Sequence, residues 1–241
     1  MFWTFWSVKG GSGATVAAAA VALALASRAR AVLLVDIAGD LPATLGVAEP
    51  NGPGLRDWLA ATDSPSGSLE RLVVPVDEQV SLLHRGTATR WPPGRSADLR
   101  AALASRGTPV VVDAGTWPEG LADDCAEVGT PTDERLELGL ASELALGGSS
   151  LLVTRGCYLA LRRATAAQIR PDGVVLVAEP GRALDGHSIT QVLGSPVLAS
   201  LQVDPAVARA VDAGVLVRRP PRTLLRSIGS LEPASSASTS S

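Results

Sequence analysis

The sequence predicts an α/β fold of three layers, a mostly parallel twisted sheet with helices on both faces. Three observations carry that expectation. Apolar runs such as "VLLVDIA" (32–38) and "PVVVD" (109–113) are unbroken rather than alternating, as in strands covered on both faces. These runs alternate with segments of helical period, the order that builds parallel sheets. A chain of 241 residues, 46% of them hydrophobic, can bury one sizeable core and is short for two.

In order, Phe2 to Val8 reads as a first strand, Ala14 to Arg28 as a helix apolar nearly all round, and Val32 to Ala38 as a second buried strand. Together they form a βαβ unit. "LRDWLAA" (55–61) is a short amphipathic helix, "LERLVVPV" (69–76) and "VSLLHRG" (80–86) hold short strands, and "SADLRAALASRG" (96–107) is a helix opening on a serine cap. The second half continues with strands in "SSLLVTR", "DGVVLVAEP" and "PVLASLQV" and helices in "CYLALRRATAAQI" and "HSITQVLG". "DPAVARAVDAG" closes the series as a helix capped by Asp204, with Pro205 at its first position and Gly214 after it. Prolines 220 and 221 should break any helix in "VRRPPRTLLR", leaving its arginines as a solvated cluster. Glu119 to Gly148 is acidic and partly helical, and Trp3 and Trp6 read as packing residues rather than a base-stacking pair.

A net charge of −3 gives no global attraction to nucleic acid or anionic lipid, so such a contact would need a local patch. Cys125 and Cys157 lie 32 residues apart, and His84 and His187 stand alone, so no metal-ligand cluster is suggested. Two free thiols fit a reducing cytoplasm, the expected location. The apolar run from Ala14 to Ala26 follows Lys9 and a glycine turn, and is short of the ~20 residues that span a bilayer.

The chemistry gathers at "SVKGGSGATV" (7–16), between the first strand and its helix. Gly10, Gly11 and Gly13 let backbone N–H groups converge on an anion, and the helix that follows adds its positive amino end. Thr15 offers a hydroxyl to Mg²⁺, and Asp113, at the end of "VVVD", can hold that ion through water. Asp36 ends the second strand, so all three groups fall at the carboxyl side of the sheet, where open α/β folds bind ligands. Among 21 basic residues the chain has a single lysine, Lys9, and it lies in this loop. Two loop patterns compete. The standard phosphate loop fails at Val8 and Ala14, and the dinucleotide fingerprint fits Gly11, Gly13 and Asp36 but has Val16 in place of its third glycine.

In this order, "VKGGSGATV", "AVLLVDIAGDLPATLG", "PVVVDAGT" and "LGSPVLASLQVDPAVARAVDAG" resemble the ParA/MinD family of deviant-Walker phosphate-loop ATPases, and more closely its degenerate branch near the CpaE/TadZ pilus-assembly proteins. The resemblance spans Phe2 to Arg219. It implies ATP and Mg²⁺ as ligands, with Lys9, Gly10, Gly11, Ser12, Gly13, Ala14, Thr15 and Val16 forming the nucleotide loop. It also implies that Lys9 reaches across a homodimer to the partner's phosphates, that Thr15 and Asp113 serve the metal, and that Asp36 is the first acid after the second strand. The family's second acid falls at Ala38, leaving Asp40 two residues on, and its in-line loop lysine falls at Ala14. No base-recognising asparagine stands in "VVLVAEPGR". The expectation is a single nucleotide-binding domain over residues 1–228 with a disordered tail at 229–241. It would act as a dimeric, nucleotide-dependent switch in intracellular positioning (chromosome partitioning, cell division or pilus assembly), with weak or absent hydrolysis and an unidentified protein partner. DNA or membrane contact through the arginine cluster is a further option. The alternatives are a nucleotide-free scaffold and a nicotinamide-dependent oxidoreductase.

Overall fold

A computed structural model describes residues 2–61, 66–117, 133–167, 169–229 and 231. Among the described residues eight strands form one sheet: β1 (Phe2–Ser7), β2 (Val32–Asp36), β3 (Val74–Pro75), β4 (Val80–Leu83), β5 (Val110–Thr116), β6 (Ser149–Arg155), β7 (Gly173–Ala178) and β8 (Val197–Gln202). Their order is β3-β4-β2-β5-β1-β6-β7-β8, and every pairing is parallel except β3 with β4. The three-layer fold expected from the sequence is the one formed.

β1 lies inside the sheet between β5 and β6, and all six of its residues are buried. Its side chains alternate between two cores, Trp3 and Phe5 on one face and Phe2 and Trp6 on the other. Both tryptophans are thus packing residues. The first face is covered by α1 (Ala14–Ala26), with α2 (Leu41–Leu45), α8 (Pro205–Asp212) and α9 (Arg222–Ile228) around it. The second face is covered by α3 (Leu55–Ala60), α4 (Ser96–Ala104) and α5 (Asp133–Ala145), while α6 (Tyr158–Thr165) and α7 (Gly186–Leu193) close a smaller cluster over β7. Among the described residues no helix is long and apolar enough to cross a membrane.

Four expectations are corrected. Residues 66–72 form a 3₁₀ turn, so only Val74–Pro75 of "LERLVVPV" is strand, an edge strand paired antiparallel with β4. Ser96 is the first residue of α4, and Arg95 takes the cap position with φ 59°, its side chain laid over the Trp58 ring at 4.0 Å. Pro221 does not end the chain's helices but precedes α9, whose Leu224 and Ile228 are buried against α1 while Arg218, Arg219, Arg222 and Arg226 stay exposed. A proline costs a helix little at its start, where its missing N–H would be unpaired anyway. Consequently α8 is not the last helix. Residues 119–132 of the acidic stretch, Cys125 and the tail at 232–241 lie outside the described residues.

One close approach sets the cleft wall. Gly46 ends α2 with φ 76°, and a Cβ there would collide with the backbone carbonyl of Gly214, just after α8. The Val217 amide donates to the Leu45 carbonyl at 3.2 Å beside this contact. Gly46→Ala should therefore destabilise the protein by about 3 kcal/mol or more in urea unfolding, because strain and overpacking combine. Gly10→Ala, with nothing within 4 Å of the added Cβ, should change stability by less than about 1 kcal/mol.

Candidate nucleotide-binding site

The turn after β1 is held by its own polar groups. Ser12 donates to the Lys9 carbonyl through both its amide (3.3 Å) and its hydroxyl (2.7 Å). Gly11 and Gly13 adopt φ values of 73° and 93°, which a residue with a Cβ takes only under strain. Gly13 is the cap of α1, and no side chain caps that helix, so its first-turn amides are left for water or a ligand. The loop borders an open cleft of about 600 Å³ at the carboxyl side of the sheet. Gly11, Ser12, Gly13, Ala14, Thr15 and Val16 form one wall, with Gly115 and Thr116 at the end of β5. Ala38, Asp40 and Thr44 form another, and Glu137 of α5 and Asp212 of α8 complete the rim.

The predicted acids divide. Asp40 is exposed on the cleft wall. Asp36 and Asp113 are paired in register on adjacent strands and fully buried beneath it. Neither lines the cleft directly. The Asp36 carboxylate accepts from the Gly39 amide at 2.7 Å and from the Leu41 amide at 3.3 Å. It shapes the turn after β2. Burial, then the negative charge of Asp113, pushes its pKa up to about 7. Burial likewise raises Asp113 to about 6, while the Thr15 hydroxyl and the Gly115 amide (3.1 Å) pull it back toward the charged form. Asp113 Oδ2 is buried and lacks a hydrogen-bond partner of normal geometry. An orphaned carboxylate oxygen near a helix-start hydroxyl suits a cation that keeps most of its waters, so Thr15 and Asp113 fit Mg²⁺. No group of three or more His, Cys, Asp or Glu among the described residues forms a cage of its own, so further ligands would come from water and phosphate.

Lys9 is exposed and is not among the residues that line the cleft, whereas Ala14 is buried and lines it. The ionisable side chains of the lining are Asp40, Glu137 and Asp212, all acids. The strand after which a base-recognising asparagine was absent, β7, is followed by Glu179, paired with Arg155 at 2.6 Å and Arg182 at 2.5 Å.

Sequence reasoning missed one cluster at this rim. Glu137 Oε2 accepts from Arg85 Nη2 and from Trp91 Nε1, both at 2.6 Å. Arg85 Nη1 donates to the Ala38 carbonyl at 3.0 Å, and the Arg56 guanidinium lies 4.5 Å from the centre of the Trp91 ring. Asp133, one helical turn before Glu137, accepts from the Trp91 amide at 2.5 Å. The available signal was the i, i+4 acid pair Asp133 and Glu137 in the stretch noted only as acidic.

No protein-family model matches the sequence, and no curated protein is similar to it at the sequence level. Solved structures do share the fold. A ParA family ATPase from Chlorobium tepidum superposes with a TM-score of 0.69 at 22% identity, over 95% of this chain and 95% of that one. The septum site-determining protein MinD from Pyrococcus horikoshii, complexed with Mg-ADP, gives 0.67 at 22% identity over 95% and 93%. A chain of the MinC:MinD cell division protein complex from Aquifex aeolicus gives 0.67 at 18% identity over the same shares, 95% and 93%. The fold is therefore that of the MinD and ParA ATPases.

A pH dependence follows from the buried acid pair. Both carboxyls have folded-state pKa values above the ordinary 3.8, so their neutral forms are favoured in the native protein. Stability should be highest near pH 4 on this account and fall by a few kcal/mol as pH rises to about 7, the Asp36 value. Urea midpoints in EDTA should therefore drop as pH rises from about 4 to about 7 and level off above it. Asp36→Asn should flatten that slope, and Mg²⁺ should lessen it by favouring the charged form of Asp113.

Proposed function

We propose that the protein is a ParA/MinD-like nucleotide switch. Mg-ATP binds in the cleft, closes a homodimer across Lys9, and is hydrolysed slowly or not at all. The closed dimer recruits a protein partner in intracellular positioning, with the pilus-assembly branch near CpaE/TadZ the best fit to the loop. The observation that carries this reading is the division of the loop: backbone donors and Thr15 face the cleft, while the chain's lone lysine is exposed outside it. A cation in that position serves a neighbouring subunit better than its own phosphates.

In this reading the loop amides and the start of α1 bind the β-phosphate region. Thr15 and Asp113 would hold Mg²⁺, which would supply neutralisation of phosphate charge. Asp40, on the cleft wall, is the acid positioned to orient water, and Asp36 supports it by fixing the Gly39 turn. Ala14 in place of a lysine removes a donor that would stabilise developing phosphate charge, a loss on the order of a hundredfold in rate.

A nucleotide-free scaffold is the second reading, favoured by the acidic lining of the cleft. Light scattering after gel filtration separates the two. Mg-ATP should shift the protein from monomer to dimer, Lys9→Ala should abolish the shift, and Ala14→Lys should raise turnover about tenfold or more. An oligomeric state indifferent to Mg-ATP, with no change in melting temperature, would leave the scaffold standing.

A further inference from the structure

Outside the loop, one basic side chain is built into the wall of the cleft without lining it. Arg85 lies just past β4, beside the end of β2. One arm of its guanidinium donates to the carbonyl of Ala38 and the other to the carboxylate of Glu137, and both Ala38 and Glu137 line the cleft. A Cβ on Gly39 would sit 3.2 Å from Arg85 Nη1, so the turn between Ala38 and Asp40 keeps clear the space beside the guanidinium. The Trp91 ring, 5.4 Å from the guanidinium carbon, backs it on a further side.

The pair with Glu137 is short but not buried: both side chains keep about a third of their exposure, 30% and 29%. Ion pairs of that exposure contribute under about 1 kcal/mol, so the bond is easily exchanged. A phosphate offers the same two-oxygen face to a guanidinium as a carboxylate does, with more charge. The lining itself holds three carboxylates and no basic side chain.

We propose that Arg85 is the phosphate-sensing residue of the cleft: Glu137 holds it in the nucleotide-free protein, and it passes to the terminal phosphate of Mg-ATP, supplying within the chain the cation that position 14 lacks. The inference rests on the reading that the cleft takes Mg-ATP. It makes Glu137 the competitor of the terminal phosphate, so nucleotides with and without that phosphate are distinguished by one exchange of partner. Trp91, which donates to the same Glu137 oxygen, keeps the carboxylate in place when the arginine leaves.

The test is the affinity of the full chain for Mg-ATP and Mg-ADP, by calorimetry or thermal shift, in the wild type, R85Q, E137Q and the double variant. R85Q should weaken Mg-ATP on the order of tenfold, the value of a charge-assisted bond, and leave Mg-ADP within about twofold. E137Q should strengthen Mg-ATP over Mg-ADP, and the double variant should behave as R85Q. If the cluster only braces α5, R85Q and E137Q will weaken both nucleotides alike, and the proposal fails. Should R85Q not fold, E137Q decides alone: an unchanged or reduced preference for Mg-ATP overturns the proposal. A wild type that binds Mg-ATP while R85Q binds it equally well overturns this inference only. A wild type that binds neither nucleotide overturns the reading beneath it as well.

Discussion

The geometry of the cleft depends on a helix that is buried on nearly every side. Ten of the thirteen residues of α1 are buried, and those at 17 to 20, 22 and 24 are all alanine, whose side chain is a single methyl group. A helix of such small side chains can lie close to β1 and β5 on one side while α9 and α2 cover the other. Interiors pack near crystal density, so larger residues there would push the helix outward and overpack its neighbours. The position of the amino end of α1 is thereby determined, and with it the direction of the uncapped amides at Gly13 to Thr15. Arg28 ties the far end, donating to the Gly229 carbonyl at 2.9 Å, so α9 secures the same helix that presents the loop.

Two acids beneath that loop meet opposite fates for electrostatic reasons. Asp36 and Asp113 face each other on neighbouring strands in a region with little water, where each charge raises the cost of the other. Asp36 is given two backbone amides and becomes part of the turn it holds. Asp113 receives one amide, at Gly115, with the Thr15 hydroxyl beside it, and its Oδ2 has no hydrogen bond of normal geometry. Only the second carboxylate keeps valence to spare for a ligand. The two sit at equivalent register positions, so it is the turn that follows each strand that separates them.

The central elements were legible because their burial is extreme. A strand covered on both faces and a helix covered all round leave unbroken apolar runs, which β1, α1, β2 and β5 display, and the glycines at 11 and 13 mark positive φ directly. Two short peripheral helices were not legible, since their residues answer to neighbours distant in sequence. α2 is five residues long with no periodicity to read. α9 forms because Leu224 and Ile228 find α1, which no local pattern announces. At the site, Thr15 was read from its place in the loop and Asp40 from the family resemblance, and both line the cleft, yet the two amide bonds that tie Asp36 into its turn are something spacing does not encode. Arg85 was invisible for the same reason: its partners are Ala38 and Glu137, 47 and 52 residues away.

The charges around the cleft then argue for conditional rather than permanent attraction. A lysine at position 14 would aim its ammonium into the cleft at all times, beside the positive end of α1, and would repel that end until an anion arrived. Here the lining is acidic, and neither Lys9 nor Arg85 lines it: Lys9 is exposed on the loop outside the cleft, and Arg85 is held by Glu137. Giving up the partly exposed pair with Glu137 costs Arg85 under about 1 kcal/mol, while a charge-assisted bond to phosphate returns about 1.5–3 kcal/mol. The balance favours the exchange only when the phosphate is present. In the proposed reading the consequence is a protein slow in chemistry but responsive in binding, because its cations are recruited by the ligand instead of waiting for it.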